Sequence, residues 1–237
     1  MNSGGILLKV AVIGAMEEEV ELLRGKIDTA RTTVIANCEF IEGVIGKNEI
    51  VLVKSGIGKV NAAIATTLVL QIFKPDVVLN TGSAGGFLES LEVGAIVISD
   101  EVRHHDVDVT AFGYEHGQVP DLPAAYIADE KLVKLAAEAT VEIGEHAYAT
   151  GLIASGDTFM SDPVHVGKVR ENFPTMIAAE MEAAAVAQAC HQFGTPFVVI
   201  RALSDIAGKE SSISFDDFLP MAARHSTEIV LRVLSKL

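Results

Sequence analysis

Short β-branched runs alternate with longer helical patterns along most of this chain, and that alternation limits its possible folds more than any other feature. Lys9 to Ile13 is followed by a helical pattern at Glu17 to Arg24, Ile50 to Lys54 by one at Lys59 to Phe73, and Val77 to Asn80 comes next. Strand, crossover helix and second strand in this order form βαβ units, whose strands lie parallel in one sheet. Further strands are expected at Val34 to Asn37, Ala95 to Val102, Tyr148 to Ala154, Met176 to Ala178 and Phe197 to Leu203. Helices are expected near Asp129 to Val141, Asp162 to Asn172, Ala179 to Phe193 and Leu219 to Lys236, with a loop over Ile206 to Ser214. Val77-Val78-Leu79 and Val198-Val199-Ile200 are apolar without alternation, as strands covered by helices on both faces are. The expected fold is α/β: a three-layer α/β/α sandwich with a mixed, largely parallel central sheet. Ligands of such sheets lie beyond the carboxyl ends of the strands, so residues there take the functional reading first.

A chain of 237 residues can bury one substantial core, and residues 1–237 are read as one domain. Met1 to Gly5 is small, polar and outside any periodic pattern, and is read as a frayed end or an expression remnant. The formal charge of -14, from 18 basic and 32 acidic side chains, repels a phosphate backbone, so nucleic acid and anionic membrane are poor partners. Glycines and charges break the apolar stretches before they reach the ~20 residues a membrane span needs, and no signal core follows a basic start. The expected location is the cytoplasm. Cys38 and Cys190 have no metal-type spacing and read as reduced, structural thiols. His104 and His105 beside Asp106 and Asp108 resemble a metal cluster, but the alternation over Val102 to Val109 reads as a strand with a polar face. No metal and no organic cofactor is expected.

Four constellations at strand ends carry unusual chemistry. Gly14-Ala15-Met16-Glu17-Glu18-Glu19 runs a buried-looking strand into three carboxylates. Acids in a first helical turn complement the helix dipole, yet Glu19 falls about one turn from Met16 and can face the strand ends. Thr81-Gly82-Ser83-Ala84-Gly85-Gly86 lets a ligand approach the backbone or makes a tight turn, but it is not a dinucleotide fingerprint. Glu180 and Glu182 enter an Ala-rich helical pattern one residue apart, so on a helix they point to nearly opposite faces and one of them faces a polar pocket. Arg201-Ala202-Leu203-Ser204-Asp205 closes an apolar strand with a guanidinium and a carboxylate, which taken alone fits an ion pair or a helix cap.

In this order, these blocks resemble the 5′-methylthioadenosine/S-adenosylhomocysteine nucleosidases of the nucleoside phosphorylase superfamily. The resemblance extends through Ser55-Gly56-Ile57-Gly58-Lys59, Asp108-Val109-Thr110-Ala111-Phe112-Gly113, Ser155-Gly156-Asp157 and Ser214-Phe215-Asp216. It implies a nucleoside phosphorylase-like fold and hydrolysis of an adenine thionucleoside, methylthioadenosine, S-adenosylhomocysteine or 5′-deoxyadenosine, to adenine and the free sugar. Such hydrolysis needs protonation of the departing base and stabilisation of a cationic sugar awaiting water.

By resemblance Asp205, with Ser204 beside it, serves adenine N7. Glu19 holds the attacking water, oriented by Arg201 and Ser83. Glu182 accepts the ribose hydroxyls and Met181 packs on the sugar, while Ala84 and Gly85 line the approach to the substrate. Adenine stacks on Phe159 and is read by the main chain of Met160. Met16, Ile57 and Phe215 cover the thioalkyl tail together with Val109, Phe112 and Pro120 of a neighbouring chain, which implies a homodimer.

Two other classes compete. A purine nucleoside phosphorylase shares the base pocket, but the family's phosphate-binding Arg two residues before Gly82 is Asn80 here, and Glu19 stands where phosphate meets a cationic loop. Each unit of phosphate charge ~4 Å from that carboxylate costs about 4 kcal/mol at an effective dielectric near 20. A non-catalytic nucleoside-binding module needs no acid at the base and none at the water, so Glu19, Glu182 and Asp205 together argue against it.

Overall fold

The computed structural model describes residues 8–209 and 211–237, the first four of the latter stretch as backbone only. One mixed sheet runs through it, its strands in the order Phe197–Ile206, Ile96–His104, Tyr148–Ser155, Met176–Glu180, Val77–Gly86, Lys9–Gly14, Asn48–Lys54, Cys38–Ile45 and Asp28–Ile35. Its middle is built from the apolar runs: β1 (Lys9–Gly14) lies parallel between β4 (Asn48–Lys54) and β5 (Val77–Gly86). On the other side of β5 runs β10 (Phe197–Ile206), also parallel. Val10 to Ile13 and Val198 to Ile200 are fully buried, because helices cover both faces of these strands.

Helix α6 (Ser211–Lys236) packs on β5 and β10, with α1 (Glu17–Arg24) and α3 (Glu130–Ile143) against it. On the other face α2 (Lys59–Leu68) packs on α5 (Ala183–Phe193). This is the expected layered α/β arrangement with a mixed sheet.

The sheet also closes on itself. β6 (Ile96–His104) pairs antiparallel with β10 and parallel with β8 (Tyr148–Ser155). β8 pairs parallel with β9 (Met176–Glu180), and β9 pairs antiparallel with the end of β5 at Gly85 and Gly86. Since β5 also pairs with β10, strands β5, β9, β8, β6 and β10 form a five-membered ring. A second apolar cluster, with Leu152, Met160, Met176 and Phe173, belongs to this half, next to α4 (Pro163–Asn172). At its N-terminal end β5 has β1 as a neighbour, and at its C-terminal end it has β9 instead. The sheet therefore splits beyond Asn80, and the candidate site lies in that split.

Several boundaries differ from expectation. Val34 to Asn37 does not stay extended: Ala36 and Asn37 have φ of 50° and 63° and turn β2 (Asp28–Ile35) into β3 (Cys38–Ile45), a strand the periodicity did not reveal. Two central residues with positive φ are what a tight hairpin requires, and Ala-Asn is a weak signal for one. A short strand at Tyr126–Ile127 (β7) was likewise not expected. The strand expected over Val102 to Val109 stops at His104, and both His104 and His105 are buried. α6 begins at Ser211 and runs through Pro220, so the loop expected over Ile206 to Ser214 is shorter and Leu219 lies inside the helix. The reading of Met1 to Gly5 lies outside the described residues.

Candidate active site

The split holds an almost fully buried guanidinium surrounded by carboxylates. Arg201 comes from the middle of β10, where its neighbours Ile200 and Ala202 are core residues, and it is 1 % exposed. Its Nη2 donates to Asn80 Oδ1 at 2.9 Å, Glu180 Oε2 at 2.5 Å and Glu182 Oε2 at 3.4 Å, and its Nη1 donates to the Ser83 carbonyl at 3.1 Å. Glu19 Oε1 stands 3.9 Å from Nη1. Burial alone would draw the Arg201 pKa down, but Glu180, Glu182 and Glu19 outweigh it and raise it.

Glu19 is the one acid of the first α1 turn that faces inward. Glu17 instead meets Arg24 and Lys54 at the surface; hydrogen bonds from those two cations hold its carboxyl at about 2. Glu19 Oε2 accepts the Ala15 and Met16 backbone N–H groups at 2.8 and 3.2 Å, closing the α1 N-terminus. Its Oε1 accepts both the backbone N–H and the hydroxyl of Ser83, at 3.0 and 3.1 Å. Four donors thus fix this carboxylate in one rotamer.

Gly82 makes room for it. At φ +143° it sits where a Cβ would fall 2.4 Å from Glu19 Oε1 and 2.8 Å from Arg201 Nη1. Neither group can yield without breaking its own bonds. On the expectation that Glu19 holds the attacking water, Gly82→Ala loses at least about a hundredfold in turnover, since displacing such a group by ~1 Å costs on this order. The check is kcat for Gly82→Ala beside Gly46→Ala, at a position where nothing lies within 4 Å.

Glu180 and Glu182 do not sit on a helix as expected. β9 ends at Glu180 and α5 begins only at Ala183, so Met181 and Glu182 form a bend between them. Both acids therefore reach the guanidinium, and the expectation of opposite faces fails. Glu180 accepts the Glu182 and Ala183 backbone N–H groups, at 3.0 and 2.9 Å, together with the Ser155 hydroxyl, whose oxygen also takes the Ala184 N–H. Among the described residues Glu182 Oε1 accepts one backbone donor, Gly58 N–H at 2.8 Å. Burial, offset in part by Arg201, pushes the Glu182 carboxyl up to about 8, and Glu180 and Glu19 add to the rise.

That shift predicts how the empty protein responds to pH. The unfolded carboxyl ionises near 4.5, so the stability that protonated Glu182 contributes is fully present below that pH and is lost as pH rises through about 8. Thermal melts of the ligand-free protein should show a falling Tm from about pH 5 to about pH 8, and Glu182→Gln should flatten the fall. An unchanged slope in the variant would contradict the assignment.

Asp205 and Ser204 lie near the end of β10 and not beyond it. Asp205 is 2 % exposed, and its Oδ1 accepts the Ser204 hydroxyl at 3.0 Å. A Cβ on Gly85 would approach its Oδ2 to 3.2 Å, so the small residues of β5 let backbone and carboxylate meet.

These groups line one cavity of about 320 Å³, of a size to take a nucleoside. Of the residues expected at a site, Met16, Glu19, Ile57, Ser83, Ala84, Gly85, Phe159, Met160, Met181, Glu182, Arg201, Ser204, Asp205 and Phe215 all line it. Phe159 and Phe215, both in its lining, meet edge to face at 5.6 Å. Val109, Phe112 and Pro120, expected from a second chain, do not line it; Phe112 is 81 % exposed. Glu180, Ser155 and Asn80 are polar participants that the sequence reading left unassigned. Among the described residues no group of three His, Cys, Asp or Glu could hold a metal ion, and no helix is long and apolar enough to cross a membrane.

The profile of the phosphorylase superfamily matches residues 9–235. A 5′-methylthioadenosine/S-adenosylhomocysteine nucleosidase of Lysinibacillus sphaericus is 66 % identical, covering 97 % of this chain and 100 % of its own. The enzyme of that name from Bacillus subtilis is 63 % identical over the same shares. The chain belongs to the 5′-methylthioadenosine/S-adenosylhomocysteine nucleosidase family. Solved members of the family have the same fold. The nucleosidase of Neisseria meningitidis, in complex with methylthio-immucillin-A, is 48 % identical with a TM-score of 0.96, covering 98 % of this chain and 100 % of its own. That of Colwellia psychrerythraea, in complex with adenine, is 52 % identical with a TM-score of 0.95, covering 98 % and 96 %.

Proposed function

We propose that the cavity between the split strands is where this nucleosidase cleaves the N-glycosidic bond of methylthioadenosine and S-adenosylhomocysteine, with Asp205 at the base and Glu19 at the water. The observation that carries this reading is the presence in one cavity of a buried acid near the end of β10 and a second, Glu19, fixed by four donors. Asp205 donates to adenine N7 as the glycosidic bond breaks, so the base leaves neutral. Glu19 takes a proton from the water that adds to the anomeric carbon, and Ser83 and Arg201 hold Glu19 in place. Phe159 stacks on adenine, and the Met160 main chain reads its edge.

Glu182 accepts the ribose hydroxyls. Donors from the sugar replace the hydration that burial removed and return this carboxyl to its anion, so binding near pH 7 should release a proton. Calorimetric titration in buffers of different ionisation enthalpy measures that release. With Glu19, Glu180 and Glu182 outnumbering Arg201, the sugar end of the cavity favours a developing cation. The same charge disfavours phosphate: both Nη groups of Arg201 are engaged, and the Asn80 amide is spent on Arg201 and the Ile13 carbonyl.

The tail region is open on this chain. Ile57 is 51 % exposed and, like Met16 and Phe215, lines the cavity. Exposed apolar groups on α2 (Val60, Ile64) and at Phe112 suit an interface between copies, in which Val109, Phe112 and Pro120 of a second chain cover the thioalkyl tail in a homodimer. The reading places the chain in the cytoplasm, supported by two buried thiols, Cys38 and Cys190, that are not joined in a disulfide. The test of the water assignment is Glu19→Gln: kcat is expected to fall by about 10²–10⁴-fold with the Kd of adenine little changed. Retention of wild-type kcat would remove Glu19 from the reaction.

A further inference from the structure

Helix α2 begins without a cap of its own. Gly58, the residue before Lys59, has φ +95° and no side chain to offer. The cap comes from a distant part of the chain: Asp157, just beyond β8, accepts the Lys59 backbone N–H through Oδ1 at 2.8 Å. Asp157 is itself held, because its backbone N–H donates to Asp106 Oδ2 at 3.0 Å. Asp106 Oδ1 in turn accepts Lys59 Nζ at 2.5 Å. A closed circuit thus ties the segments beyond β6 and β8 to the start of α2. The loop fits closely against it, since a Cβ on Gly58 would stand 3.1 Å from Asp157 Oδ1. The Gly58 N–H, one residue before the capped amide, is the backbone donor to Glu182 Oε1 at 2.8 Å, a shorter contact than the 3.4 Å to Arg201.

We propose that Asp157 is a positioning residue for the sugar end of the site: by capping α2 from the segment just beyond β8 it holds the Gly58 N–H on Glu182, and so sets affinity for the ribose and not for the base. The inference rests on the reading of Glu182 as the ribose acceptor. Asp157 is exposed and does not line the cavity, so its effect passes through the loop. An N-cap acceptor fixes the first turn of its helix, and releasing it lets the preceding residue leave its place. Glu182 then loses the donor that favours its anion.

Asp157→Ala is expected to raise KM for methylthioadenosine about tenfold, or ~1.4 kcal/mol, with kcat within about threefold and the Kd of free adenine within about twofold. Asp157→Asn, whose Oδ1 still accepts the Lys59 N–H, should restore most of the affinity. A structural defect would weaken adenine as well and would not be rescued by Asn. Glu182→Ala in the same assays separates the two claims. If it weakens the nucleoside and spares adenine while Asp157→Ala moves neither or both, the capping inference is overturned and the ribose assignment stands. If Glu182→Ala fails to distinguish nucleoside from base, the ribose assignment falls and the inference with it.

Discussion

Asp205→Asn is expected to lower adenine release by about 10²–10⁴-fold, the range a positioned general acid contributes. The exchange is nearly isosteric, and Asn Oδ1 can still accept the Ser204 hydroxyl that bonds Asp205 at 3.0 Å. Tm should therefore stay within a few degrees of the parent, so the loss reads as chemistry. The amide differs from the carboxyl in one respect that matters here: it has no acidic proton to pass to N7 as the base departs. Ser204→Ala removes the hydroxyl that donates to Asp205 Oδ1 and to the Ala84 carbonyl, leaves the acid itself in place, and should cost less, about tenfold. If Asp205→Asn turned over at the parent rate, base protonation would have to come from solvent, and the purpose of burying this acid would be lost.

The largest expected change in stability is at Arg201. This guanidinium is 1 % exposed and is the charge partner of Glu180, Glu182 and Glu19, while also satisfying Asn80 and the Ser83 carbonyl. Arg201→Met fills a similar volume but takes the cation and one donor away from Glu180, Glu182, the Asn80 amide oxygen and the Ser83 carbonyl. Breaking a buried ion pair from one side costs about 3–5 kcal/mol, and in a chain of this size each kcal/mol lowers Tm by roughly 2–4 °C. A fall on the order of 10 °C is the expected result by calorimetry. The carboxyl of Glu182, which Arg201 now holds down against burial, should also rise further, extending the loss of stability to higher pH. A Tm within 2 °C of the parent would mean that water reaches these acids, contrary to their burial.

What the sequence made legible follows the physics of each element. Continuous apolar runs such as Val10 to Ile13 and Val198 to Ile200 can only be covered strands, and they formed the middle of the sheet. Glu19 was distinguishable from Glu17 and Glu18 by helical phase, which is local. Glu180 and Glu182 were misread because the Ala-rich composition of Ala183 to Ala187 spreads its helical signal backward over two residues that belong to β9 and a bend. The i, i+2 spacing that separates side chains on a helix brings them to one side where a strand ends.

Closure of the five-strand ring was not readable either, since it depends on β5 having β10 on one side and β1, then β9, on the other, a pairing no local pattern encodes. Nor was the role of Asn80 and Ser155, whose side chains gain meaning only from partners far along the chain, Arg201 and Glu180. The β2 to β3 hairpin was missed for a conformational reason: Ala36 and Asn37 adopt positive φ without the glycine that usually announces it.

The central claim is that water is the nucleophile in a cavity whose charge excludes phosphate. Product analysis tests it most directly: methylthioadenosine is incubated with the protein in phosphate-free buffer and again with added phosphate, and the sugar product is identified in each. Adenine and free methylthioribose are expected at equal rates in both. Release that requires phosphate and yields the sugar 1-phosphate would contradict it.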